Sequence, residues 1–175
     1  MNSININTLS ESLNLEDFIS NQMINNDLDI EFIYGADFKN AKILRDFVEI
    51  ICTKAEFSHK DVSRFILIVD ELNNNAIEYW TLEGFENKLR IKTTRQEGSV
   101  DIKIEVEDAW NWLKHKNALE METLRAHQLR LWYTGHASIR WRGLFMITVK
   151  SVDRLYFKDT KEWWLIVWIK KNVII

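Results

Sequence analysis

At 175 residues, with 46% hydrophobic and 12% aromatic side chains, the chain is long enough to bury a sizeable core and too apolar to stay disordered. A formal net charge of -3 with interspersed signs lacks the basic footprint of a nucleic-acid-binding surface, and no Lys/Arg cluster marks a membrane-surface helix. The single Cys52 excludes an internal disulfide, and no apolar run approaches the roughly 20 residues that cross a bilayer, so a cytoplasmic protein in a reducing compartment is expected.

Residues 1 to 27 are rich in Asn and poor in large apolar groups, but Leu15, Phe18 and Ile19 have helical spacing. They read as an N-terminal helical arm, packed on the domain or used for a partner, ahead of one domain over residues 28 to 175. Asp29 to Tyr34 predicts a strand entering a turn at Gly35. Leu44, Phe47, Val48, Ile51 and Cys52 share one face of a helix over about 39 to 55, which makes Cys52 a small core residue rather than a nucleophile. Ser58 with Asp61 three residues on resembles a capping box and starts a second helix, carried through Glu71 and Asn75 to about Tyr79.

Beyond this helix the period changes from 3.6 to 2. Lys88 to Lys92 alternates, Val100, Ile102, Ile104 and Val106 alternate with charged residues, and Arg95 to Ser99 supplies the hairpin turn between them. Residues 113 to 140 hold no single period and predict a long, partly helical excursion. A helix over Gly143 to about Val152 and strands over Arg154 to Lys158 and Leu165 to Lys170 close the chain. The order predicts an α+β two-layer sandwich, a mixed, mostly antiparallel sheet covered on one face by helices.

The chemistry-bearing segment is Val69 to Tyr79, where Glu71 stands one helical turn before Asn75 and Ala76 follows. Val62, Phe65, Val69, Leu72 and Ala76 form an apolar stripe beside the pair. A carboxylate and a neutral oxygen ligand at the edge of a core can hold Mg²⁺ and orient a hydroxyl or water against a phosphate, although the same two residues also serve as an ordinary solvated helix face. His115, His127 and His136 lack the paired spacing of a zinc site.

With these residues the chain resembles the ATP-binding domain shared by histidine kinases, type II topoisomerases and bacterial anti-sigma serine kinases, known as the GHKL or Bergerat-type fold. Glu71, Asn75 and Ala76 match its first motif. The strand ending Val106-Glu107-Asp108-Ala109-Trp110-Asn111-Trp112 stands where the family has Asp-x-Gly-x-Gly, and Trp141-Arg142-Gly143-Leu144 stands at its Gly-x-Gly, at the end of a mobile ATP lid. The resemblance covers roughly residues 28 to 172 and is nearest the free-standing anti-sigma factor kinases. It implies Glu71 as general base or water positioner, Asn75 on Mg²⁺, Asp108 on the adenine amino group, and residues 110, 112 and 141 to 144 around ATP. It also implies a sigma factor and an antagonist protein as partners, phosphorylation of a serine or threonine on that antagonist, and room for a homodimer; an ATPase that drives a conformational switch without a protein substrate is the alternative activity. Arg130, Arg140 and Arg142 lie in or beside the lid, and only Arg142 falls in a motif.

The departures from the family share one direction. Trp110, Trp112 and Trp141 stand at family Gly positions, Trp164 near another, and Trp80 where a small residue is usual, in a chain with eight Trp and five Gly. Gly serves there because it reaches positive φ and leaves room beside phosphates, so Trp at these places argues against ATP binding and for a nucleotide-free interaction module of the same fold. Random decay would scatter Gly to many residue types. A codon read as Trp in one genetic code and as Gly in another accounts for one direction of change, and the abundance of Asn, Ile and Lys without any Pro fits an AT-rich gene. The gene is expected to carry UGA at Trp110, Trp112 and Trp141. Sequencing those codons checks this, and ordinary UGG at all eight Trp positions would overturn it.

Overall fold

Alternation along the strands sets the architecture. In the computed structural model, which describes residues 2–9, 13–24, 27–80, 84–108, 116–133, 151–161 and 165–175, six strands form one sheet. They are β1 (Asn2–Asn5), β2 (Leu28–Gly35), β3 (Glu86–Gln96), β4 (Ser99–Glu107), β5 (Arg154–Asp159) and β6 (Leu165–Ile174), in the spatial order β1-β2-β3-β4-β6-β5. β1 runs parallel to β2 and every other pairing is antiparallel. Leu28, Ile30, Phe32 and Tyr34 of β2, Leu89 and Ile91 of β3, and Val100, Ile102, Ile104 and Val106 of β4 turn to one face and are buried there.

Among the described residues, helices α1 (Leu15–Gln22), α2 (Lys39–Lys54), α3 (His59–Asn75) and α4 (Ala118–Tyr133) accompany the sheet. α2 brings Leu44, Phe47, Val48, Ile51 and Cys52 onto the buried face, and α3 brings Phe65, Ile68, Val69 and Leu72. The Phe47 ring meets Phe32 at 4.5 Å and Phe18 of α1 at 6.4 Å, joining three elements. This is the α+β sandwich expected from the order of elements.

Local signals explain the helix ends. The Ser58 hydroxyl oxygen accepts from the Asp61 amide at 3.2 Å and the hydroxyl donates to the Asp61 carboxylate at 2.6 Å, fixing the start of α3. α2 ends in a Schellman motif in which the Phe57 amide donates to the Cys52 carbonyl and the Glu56 amide to the Thr53 carbonyl. That motif needs a left-handed residue, and Glu56 supplies it at φ 65°. α3 runs into a π-helical turn over Ala76–Trp80, which the 3.6 period did not anticipate.

Two parts of the sequence reading are extended. The first residues, expected as part of a helical arm, include the parallel edge strand β1, too short at four residues to show a period. α1 is capped by Asn14 and buries Ile19 on the core. Within the 113 to 140 excursion, α4 starts at a reciprocal cap in which the Asn117 side chain accepts from the Glu120 amide and the Glu120 carboxylate accepts from the Asn117 amide, both at 2.9 Å. Its start is fastened to β5 where the Ala118 amide donates to Asp159 at 2.8 Å. Most of the helix expected from Gly143 falls outside the described residues. Among the described residues no helix is long and apolar enough to cross a membrane. Because Phe47 is fully buried where α1, α2 and β2 meet, Phe47→Ala is expected to cost about 3–5 kcal/mol, measurable by urea unfolding.

Candidate functional site

The buried face of the sheet turns polar at one end. Tyr34 pairs with Asn87 across β2 and β3, and the register that pairs Lys88 with Glu107 sets Asn87 beside Asp108 at the end of β4. All three side chains are buried. α3 lies over this row, and the Tyr34 hydroxyl donates to Asn73 Oδ1 at 2.7 Å. Asn73 is fully buried, and its Nδ2 has no hydrogen-bond acceptor among the described residues. Burial raises the Tyr34 phenol far above its ordinary range, and the charge of Asp108 pushes in the same direction.

Asp108 is clamped to the neighbouring strand. Its amide donates to the Leu165 carbonyl at 3.1 Å, and the Leu165 amide donates to its Oδ1 at 2.9 Å. The other oxygen, Oδ2, is buried without a partner among the described residues. Burial pushes the Asp108 carboxyl up to about 7, against the lowering effect of the Leu165 amide and with a further push from Glu107. Leaving a buried polar atom unmatched costs roughly 1–3 kcal/mol, so a hydrogen-bond partner for Oδ2 from outside the described residues would be favourable.

Glu71 and Asn75 occupy the last turns of α3. Glu71 is partly exposed, and burial followed by the like charge of Asp70 raises its carboxyl from its ordinary value. Asp70 is itself raised by burial, offset by Arg45 at 3.3 Å. Asn75 is 7% exposed at the point where α3 widens into the π-helical turn. Cys52, fully buried, has its thiol pushed far up by burial, which agrees with a packing role.

Of the residues singled out in the sequence, the structure thus places Glu71 and Asn75 on the helix that covers the polar row, and Asp108 in the row itself. Trp110, Trp112, Trp141, Arg142, Gly143 and Leu144 lie outside the described residues, as does Trp164. Tyr34 and Asn73 were missed. The signal for Asn73 was its position four after Val69 on the apolar stripe, where an amide has to find a partner in the core.

An unmatched carboxylate oxygen suits an amino-group donor, and a carboxamide oxygen suits a hard cation that takes most of its ligands from phosphates and water. Among the described residues no group of three His, Cys, Asp or Glu could hold a metal ion unaided, so Asn75 would share the ion with other donors. On these residues Mg²⁺-ATP fits.

No protein-family model matches the chain, and no curated protein matches it. Among solved structures, a chain of the SiaB-SiaC complex from Pseudomonas aeruginosa is similar at 10% sequence identity and a TM-score of 0.47, covering 95% of this chain and 99% of that one. Similarity at that level carries no argument about what this chain does.

The Asp108 carboxyl, ordinarily near 3.8, is raised to about 7 in the folded protein. The folded state holds its proton where the unfolded state has lost it, so this group's contribution is full below pH 4 and is lost as pH rises to about 7. Asp108→Asn is expected to remove that slope and to be more stable than the parent at pH 8 by roughly 1–3 kcal/mol, measured by denaturant titration across the range.

Proposed function

We propose that the chain is a regulatory protein with a histidine-kinase-like ATP site, acting as a serine kinase of the anti-sigma type on an antagonist protein and holding a sigma factor on another surface. The observation that carries the reading is Asp108, a buried carboxylate with one unmatched oxygen at the end of β4, beneath the helix that bears Glu71 and Asn75.

Mg²⁺-ATP, when bound, would supply the phosphoryl group and much of the charge neutralisation. Asp108 would accept from the adenine amino group and discriminate against bases lacking it. Asn75 would offer its side-chain oxygen to Mg²⁺. Glu71, with its carboxyl raised by burial, would take the proton from a serine hydroxyl of the antagonist. Arg142 and the backbone of Gly143 and Leu144 would meet phosphates in the lid. The contribution of the protein is positioning and charge rather than covalent chemistry.

A second reading is favoured by the Trp residues. With indoles at positions 110, 112 and 141 the chain would be a nucleotide-free interaction module, its polar row structural. Calorimetry with Mg²⁺-ATP on two chains separates them: the sequence as written, and one carrying Trp110→Gly, Trp112→Gly and Trp141→Gly. Heat of binding is expected from the glycine-bearing chain, with at least about a tenfold loss on adding Asp108→Ala. Absence of heat from both chains overturns the nucleotide reading and leaves the interaction module.

A further inference from the structure

The solvent face of the sheet carries a line of positive charge that runs across the strands. Lys92 of β3 is paired with Lys103 of β4, Lys103 with Lys170 of β6, and Lys170 with Arg154 of β5. Four cations therefore stand side by side in one register row on four adjacent strands. Like charges directly opposite one another destabilise a sheet, so an arrangement of four is costly to the isolated fold.

Neighbouring carboxylates engage the two middle cations directly, and the charge of Asp29 faces Lys92 at one end of the row. Lys103 pairs with Glu105 at 2.9 Å and Lys170 with Asp101 at 2.8 Å. Lys92 and Arg154, at the ends, are exposed and form no close ion pair among the described residues, although Arg154 donates to the Tyr156 hydroxyl at 3.4 Å and Lys92 faces the charge of Asp29. The Asp29 carboxylate, opposite Lys92, is engaged instead by both forks of the Arg90 guanidinium at 2.8 and 2.9 Å. Beside the row, Tyr156 stacks on Trp168 at 4.2 Å and the Lys103 ammonium sits 4.6 Å from the indole centroid, adding an aromatic flank. No described helix covers this face. α1, α2 and α3 contribute their apolar residues to the opposite one.

We propose that this row docks a protein partner through an acidic α-helix laid across the strands. The spacing favours a helix. Three strand gaps of about 4.8 Å place the outer cations about 14 Å apart. On an α-helix, carboxylates at i, i+4, i+7 and i+11 form one line of about 16 Å. The flanking rows favour a protein over a nucleic acid. Glu105 lies on one side of the row and Asp101 on the other, so a duplex wider than a single line of charge would press phosphates against carboxylates. An apolar residue on the partner helix would rest on the Tyr156–Trp168 stack. The row is on the face of the sheet opposite the Glu71 helix, so this docking does not depend on the nucleotide reading.

The test uses the full chain and a fluorescein-labelled stapled helical peptide with Glu at i, i+4, i+7 and i+11, followed by anisotropy. Binding is expected, weakened about tenfold or more when Gln replaces Glu in the peptide, and weakened about tenfold by Lys92→Glu with Arg154→Glu in the protein. Circular dichroism melting of that variant, and of the milder Lys92→Gln with Arg154→Gln, separates loss of the surface from loss of fold. Equal binding of the Glu and Gln peptides overturns the proposal, as does indifference to charge reversal in a folded variant. Tighter binding of duplex DNA or phosphatidylserine vesicles than of the Glu peptide, lost on the same reversal, overturns it as well.

Discussion

Everything in this fold follows from burying one face of a twisted sheet and leaving the other wet. The inner face receives the large aliphatic side chains of β2, β3 and β4 except Ile33, and α2 and α3 supply the complementary stripe. This arrangement fixes register, because a slip of one residue would send Ile102 and Ile104 into water and Lys103 into the core. It also dictates where polar chemistry can occur. Within the apolar layer, an amide or carboxylate is tolerable only at the margin, and that is where Tyr34, Asn73, Asn87 and Asp108 gather.

The two faces consequently use charge in different ways. Inside, isolation from water does the work: Asp108 and Tyr34 are both raised by burial, and Glu71, half sheltered, is raised by burial first and Asp70 second. Outside, ion pairs are exposed and individually weak, such as Lys88 with Glu107 at 2.8 Å, and their pattern matters more than their number. Most outer positions alternate in sign across strands. The line from Lys92 to Arg154 breaks that alternation across the strands, and its middle members are balanced instead along their strands and diagonally, by Glu105 and Asp101.

Legibility of the sequence tracked how strongly each element is patterned. α2, α3 and the β3–β4 hairpin were readable because long alternating or helical stripes coincide with definite caps, Ser58 with Asp61 above all. β1 escaped notice because four residues cannot display a period. α4 has few buried side chains, Met121 and Gln128 among them, so its start was visible only in the Asn117 and Glu120 cap. In the candidate site, Glu71, Asn75 and Asp108 could be named from spacing and family resemblance. Tyr34 could not, since its role depends on a contact with Asn73 that is 39 residues away in the chain.

The clamp between Asp108 and Leu165 has a use beyond architecture. A backbone amide that donates to a titrating carboxylate reports the charge on that carboxylate. The Leu165 amide proton therefore serves as a built-in spectroscopic reporter of the site. Its resonance follows the protonation of Asp108 without a label.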